Sequence, residues 1–183
     1  MLVEKRKRLL EIITKDAYFR EKIILSSGKE SDFYIDARLV TLNAEGVTLI
    51  AEIVLDMLKG DKITAIGGPT LGADPMVGAF GVISFQSGHP LKTFIIRKEP
   101  KKHGKQKQIE GPVLTVQDNI VLVDDVATTG KAFLQSLDVF DQMGLKAKKA
   151  VCIVDRNEGA REALAARGCE LVSIFDIGEI HKK

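Results

Sequence analysis

Apolar and polar positions along this chain alternate in blocks whose period changes from short continuous runs to longer amphipathic stretches. Apolar, β-branched runs at 63–66, 92–96, 120–123, 148–154 and 171–176 have the length and composition of strands covered on both faces. Between them, helical spacing runs from the segment 67–74 to about residue 86, then over 131–143 and 159–167, the last stopped by Gly168. Upstream, Val47, Ile50, Ala51, Val54, Leu55 and Leu58 repeat at helical spacing between a capping Asn43 and Gly60. Residues 3–18 place Val3, Leu9, Leu10, Ile12 and Ile13 among Lys, Arg and Glu, which predicts an amphipathic helix. The segment 24–38 reads as a strand, a Ser/Gly turn and a second strand, a hairpin-like hood. Regular strand-helix alternation predicts an α/β fold: a mostly parallel five-stranded sheet with helices on both faces. A single domain over 1–183 follows, with residues 1–40 supplying the N-terminal helix and hood.

Composition narrows the class. Apolar residues make up 45% and charged residues 28% of 183 residues, with no internal repeat, which describes a globular protein rather than a disordered or fibrous one. No apolar run approaches a membrane span, and the basic amino end lacks the apolar core of a signal peptide, so a cytoplasmic protein is expected. Cys152 and Cys169 do not form a metal-ligand spacing and lie in or beside strands, as buried free thiols do. A net charge of +2 decides little, but its distribution does.

In open parallel sheets, ligands bind beyond the carboxyl ends of the strands. Those ends carry Gly67-Gly68-Pro69-Thr70, Arg97-Lys98, Asp124-Asp125 and Asp155-Arg156. The fullest signal is 120–132. A buried strand leads to Asp124-Asp125, then to Val126, Ala127, Thr128, Thr129 and Gly130, and into a helix at Lys131-Ala132. Backbone N–H groups of such a turn, aided by the helix dipole, suit a phosphate; the adjacent carboxylates suit sugar hydroxyls or a hydrated Mg²⁺. Asp pairs after strands also serve as caps and turn formers, so the pair alone leaves both readings open. The spacing is neither a Walker A loop nor a dinucleotide fingerprint.

Residues 97–112 hold six Lys or Arg and one His with little apolar content. A loop of this length is either a solvated charged segment or a functional one, and its place beside the anion turn suits a cationic lid. Nucleic-acid binding is the rival use, but interleaved aromatics and a recognition motif are both missing. Phe33 and Tyr34 stand together in a chain with 5% aromatic residues, as ordinary packing or as ring-binding surfaces.

The run 120–132 resembles the phosphoribosyl-pyrophosphate signature of type I phosphoribosyltransferases. Together with 25–36, Arg97-Lys98-Glu99-Pro100-Lys101-Lys102-His103-Gly104 and 155–159, it resembles the orotate phosphoribosyltransferases over most of the chain. The resemblance implies transfer of a 5-phosphoribosyl group from 5-phosphoribosyl 1-diphosphate to orotate, giving orotidine 5′-phosphate and diphosphate in pyrimidine biosynthesis. It implies Mg²⁺ carried by substrate and water rather than by direct protein ligands, and a homodimer whose lids reach the partner's site, without nucleic-acid or membrane partners. By position, Asp124 and Asp125 would address ribose hydroxyls and metal waters, and Val126, Ala127, Thr128, Thr129, Gly130, Lys131 and Ala132 the 5′-phosphate. Arg97, Lys98, Lys101 and His103 would hold diphosphate, with Lys101 the most catalytically important lid residue; Asp124 and Asp125 share the catalytic assignment. Thr128 and Arg156 would bind orotate, framed by Phe33 and Tyr34, although Arg156 is also placed for an ion pair with Glu158 or Asp155.

The chain departs from the family pattern at three places. Ser26 stands where a Lys often precedes Ser-Gly, Thr70-Leu71 where an aromatic-Lys pair is usual, and Lys105 where an acid often follows His-Gly. Lys29 and Lys102 are the candidates to compensate. A transferase for another purine or pyrimidine base is the enzymatic alternative; a phosphoribosyl-diphosphate-binding regulator would need a nucleic-acid-binding module for which 183 residues leave little room.

Overall fold

A computed structural model describes residues 2–24, 30–99 and 107–181. Helix α1 (Leu2–Ile12) passes into a π-helical turn, Ile13–Ala17, in place of the single helix expected to residue 18. The Thr14 hydroxyl donates to the carbonyls of Leu10 at 2.8 Å and Glu11 at 3.1 Å. Such back-bonding bends helices, and here Ile13 and Ala17 both end up buried. Four two-residue strands follow: β1 (Tyr18–Phe19), β2 (Ile23–Ile24), β3 (Glu30–Ser31) and β4 (Tyr34–Ile35). The expected hairpin is β2 paired with β3; a second antiparallel ladder, β1 with β4, was not foreseen.

Helix α2 (Arg38–Thr41) leads to α3 (Ala44–Met57), where the Asn43 side chain accepts from the Gly46 amide at 2.9 Å as the capping signal predicted. The stop differs. The helix ends before Gly60, and Lys62 takes the positive φ of 49°, with the Asn119 amide donating to the carbonyls of Asp61 and Lys62.

The core comprises β5 (Ala65–Pro69), α4 (Asp74–Gln86), β6 (Lys92–Ile96), β7 (Ile109–Glu110), β8 (Ile120–Ala127), α5 (Lys131–Gln142), β9 (Ala147–Asp155), α6 (Ala160–Ala165) and β10 (Glu170–Asp176), followed by α7 (Ile177–His181). The sheet order is β10-β9-β8-β5-β6-β7. All five expected strands pair in parallel, and β7 adds a sixth, antiparallel edge strand inside the segment expected as loop.

Side-chain alternation makes this sheet two-sided. Val121 and Val123 join Val151 and Ile153 in a core with α1, α3 and α4, whereas Ile120 and Leu122 join Ala150 and Cys152 in a second core with α5 and α6. Both cysteines are buried and free, and burial pushes both thiols up. Among the described residues, no helix is long and apolar enough to cross a membrane.

Sequence order and sheet order diverge at one point. From β5 the chain moves outward to β6 and β7, then returns to place β8 on the other side of β5 before moving to β9 and β10. Ligand crevices in open α/β sheets form at such a reversal. The strand expected at 63–66 is displaced accordingly to Ala65–Pro69, carrying Gly67 and Gly68 into the sheet. A Cβ on Gly68 would stand 1.8 Å from the Val123 carbonyl oxygen, so only glycine lets the two strands meet here.

Candidate active site

At the reversal, Asp124 and Asp125 lie in the last half of β8, which runs on to Ala127 instead of ending at residue 123 as expected, because Val126 and Ala127 still pair with β9. Asp124 is 9% exposed, and its Oδ1 accepts from the Asp125 amide at 3.0 Å; Asp125 Oδ1 accepts from the Val126 amide at 2.7 Å. Burial pushes the Asp124 carboxyl well above the ordinary range, and the charge of Asp125 adds to the rise. Burial also raises Asp125, opposed by the Val126 amide and the Arg38 charge. The turn Thr70-Leu71-Gly72 presses against this pair: a Cβ on Gly72 would lie 2.3 Å from Asp124 Oδ1. The Thr70 hydroxyl donates to Asp74 Oδ2 at 2.7 Å, leaving the buried Asp74 Oδ1 without a hydrogen-bond partner.

After Ala127 the chain turns through Thr128 and Thr129, both half-buried, to Gly130 at φ 76°. That conformation favours glycine, and a Cβ would also meet Leu164 at 2.7 Å. Lys131 and Ala132 then open α5, so backbone donors and a helix N-terminus sit one turn beyond the carboxylates, as the spacing predicted.

The register Ala127 to Asp155 aligns the next two strand ends, and the Arg156 amide donates to the Ala127 carbonyl at 2.9 Å. This sets Thr128 and Arg156 side by side. The Arg156 side chain is 4% exposed; its Nε donates to Glu158 at 2.8 Å, a terminal nitrogen donates to Ser31 at 3.0 Å, and its guanidinium lies 4.2 Å over the Phe33 ring. The ion pair foreseen as an alternative therefore exists, but inside the hood junction rather than on the surface. Asp155 is fully buried and faces Arg161, with Oδ2 2.6 Å from Nε in a poorly aligned contact.

Phe33 and Tyr34 do not flank one space. Phe33, just before β4, packs on Arg156 and meets the His181 ring edge-on at 4.6 Å, while Tyr34 stacks on Phe19 and lines a cleft that does not include Phe33. That cleft, of about 310 Å³, is lined by Tyr34, Arg38, Thr70, Lys98, Asp124 and Asp125, together with Val126 and Ala132. A neighbouring cleft of about 270 Å³ shares Thr70 and Lys98 and adds Arg97, whose guanidinium reaches Glu110 at 3.5 Å. Lys101 and His103 lie outside the described residues, as do Ser26, Lys29, Lys102 and Lys105.

Sequence reasoning missed Arg38 and His181. Asp36-Ala37-Arg38 carries no local signal for a cleft; only the β1–β4 ladder, with Ile35 opposite Tyr18 and the Asp36 amide donating to the Ala17 carbonyl, brings it to the rim.

An acid pair, an amide-lined turn at a helix N-terminus and cationic side chains thus meet at one crevice of a phosphoribosyltransferase fold, with chemistry able to hold a phosphorylated sugar. No protein-family model matches the chain. Curated relatives do: an orotate phosphoribosyltransferase of Bradyrhizobium sp. (strain ORS 278) is 39% identical over 95% of this chain and 96% of its own length. The orotate phosphoribosyltransferase of Aquifex aeolicus (strain VF5) is 37% identical over 98% of this chain and its own full length. The crystal structure of the Mycobacterium tuberculosis H37Rv orotate phosphoribosyltransferase in complex with 5-phospho-α-D-ribosyl 1-diphosphate superposes with a TM-score of 0.80 at 29% identity, covering 97% of this chain and 99% of the other. The chain belongs to the orotate phosphoribosyltransferase family.

Proposed function

We propose that this chain joins orotate to ribose 5-phosphate with the residues assembled at the β5–β8 reversal. The C1–O bond to diphosphate breaks as the bond from an orotate ring nitrogen forms, so positive charge grows on the ribose and negative charge on the leaving group. Positioning and electrostatics do the work. Asp124 and Asp125 accept from the ribose hydroxyls; the turn from Val126 to Ala132 holds the 5′-phosphate; Arg97, Lys98, Lys101 and His103 hold diphosphate. Orotate lies toward Thr128 and Arg156 against Phe33, with Tyr34 at the border of the ribose space. Arg156 has the planar fork that suits a carboxylate.

Mg²⁺ would be carried here by substrate and water rather than by direct protein ligands, its waters meeting the carboxylate oxygens of Asp124 and Asp125 that line the cleft. Bound with the donor, it would screen the charge developing on diphosphate. A homodimer in the cytoplasm completes the reading, with exposed Val82 and Phe85 on α4 available to a second copy.

The observation that carries this reading is the one-step register between Ala127 and Asp155, which seats the sugar-phosphate turn beside the buried Arg156. The test is loss of orotate's ultraviolet absorbance on mixing with protein, donor and Mg²⁺. Turnover with another base but none with orotate would replace the assignment. Lys101→Ala should lower the chemical rate far more than donor affinity, and Arg156→Ala should chiefly weaken orotate.

A further inference from the structure

The cleft beside Asp124 and Asp125 must neutralise a diphosphate, yet its lining turn Thr70-Leu71-Gly72 contributes no cationic side chain. Among the described residues that line the cleft, the cations are Lys98 and Arg38. Lys98 follows the end of β6 and is exposed. Arg38 opens α2 from the hood side, opposite the sheet.

Arg38 is held in place without being used up. Asp36 Oδ1 accepts from its Nε at 3.1 Å and from its backbone amide at 3.3 Å, so one carboxylate fixes both the backbone and the near side of the guanidinium. The Tyr34 hydroxyl borders it, and the side chain remains 48% exposed. A guanidinium gripped through Nε still offers the donors on its terminal nitrogens, in the planar arrangement that suits two phosphate oxygens. Its charge also acts on Asp125 against the rise imposed by burial, which puts it within electrostatic reach of the acid pair.

We propose that Arg38 is a diphosphate-binding residue of this enzyme, supplying from the hood the side-chain cation that Thr70-Leu71 does not supply from the sheet. The assignment rests on the transferase reading above.

Calorimetric titration of wild-type, Arg38→Ala and Arg38→Lys proteins, with Mg²⁺ present, separates the possibilities. The probes are 5-phosphoribosyl 1-diphosphate, inorganic pyrophosphate and ribose 5-phosphate. Arg38→Ala is expected to weaken the first two by about tenfold or more, the scale of a lost hydrogen bond to a charged group, and to leave ribose 5-phosphate unchanged. Arg38→Lys should recover part of the loss, because it restores charge without the fork. Equal affinity of wild type and Arg38→Ala for the diphosphates would overturn the assignment alone. So would an equal loss for all three probes, which would mark a purely structural role in the hood. Wild-type protein that binds none of the three would overturn the transferase reading itself, and this assignment with it.

Discussion

The two ends of β8 both carry carboxylates, in opposite surroundings. Just before the strand, Asp118 is surrounded by donors: Lys92 Nζ at 2.8 Å, the Thr115 amide at 2.7 Å and the Thr64 hydroxyl at 2.9 Å. The Lys92 ammonium, with those donors, holds its carboxyl well below the usual carboxylate range. At the other end, among the described residues, Asp124 and Asp125 accept from main-chain amides, and burial pushes both carboxyls up. One end of the strand is satisfied by the protein alone. Among the described residues, the other has no cation in direct contact with its acids, a place that a substrate and its cation can fill.

The largest expected effect tests that contrast directly. Asp124→Asn keeps an oxygen for the Asp125 amide while removing a buried charge. Turnover should fall by roughly 100-fold or more, the scale of losing one preorganised electrostatic contact. Melting of the ligand-free protein should occur at an equal or higher temperature, because a carboxyl raised by burial opposes folding at neutral pH. A large drop in melting temperature would mean that Asp124 supports the fold, and the contrast with Asp118 would collapse.

Gly68→Ala probes the backbone beneath the same end. The added methyl would meet the Val123 carbonyl oxygen, and a clash with main chain cannot be relieved by turning a side chain. Destabilisation of about 3 kcal/mol is expected from overpacking of this kind, measured by denaturant titration. A change below about 1 kcal/mol would show that β5 and β8 can separate, so that the site is less rigid than the glycine contact implies.

The sequence exposed these two ends unequally. The five core strands, the Asn43 cap, Gly130 and Gly168 at positive φ, and the burial of both cysteines were legible because each rests on local chemistry or periodicity. Gly67 and Gly68 read as loop because glycine weakens strand patterns, and only the approach of Phe94 and Val123 explains them. The β1–β4 ladder escaped detection because two-residue strands have no period to read. Arg38 at the cleft and the packing of Phe33 and Ser31 on Arg156 depend on contacts between distant segments, whose residues carry no local sign of one another, whereas the Arg156–Glu158 pair is local and was expected. The turn after β8 was therefore readable as a local motif, while the seating of Phe33 on Arg156 had to be seen in space.

At the satisfied end, Asp118→Asn should leave turnover unchanged and lower stability by about 1–2 kcal/mol, as a carboxylate with several donors loses its charge. The pH dependence follows from the sign. Because the folded carboxyl is depressed, its contribution is complete above the unfolded value of about 3.9 and is lost as pH falls below it toward the folded value. The difference in stability between wild type and variant should therefore shrink on acidification below that point. A difference that stays constant with pH would mean that packing, not charge, makes the contribution.

The smallest effect concerns the junction that pairs an internal acid with the proposed orotate-binding cation. Glu158 spends part of the Arg156 charge before any ligand arrives, through the 2.8 Å contact at Nε. Glu158→Gln keeps an oxygen able to accept that hydrogen bond and removes the competing charge. Two effects then oppose each other: Arg156 becomes more available to an acid ligand, but a buried guanidinium loses its counter-ion. The Phe33 face and the Ser31 hydroxyl remain to hold it, so the first effect should win. Orotate should bind about two- to threefold more tightly, within the range of a partly exposed ion pair, with donor affinity unchanged. Weaker orotate binding in calorimetry would show that Glu158 chiefly aims the arginine, making this acid, unlike Asp124 and Asp125, a structural partner rather than a regulator of charge.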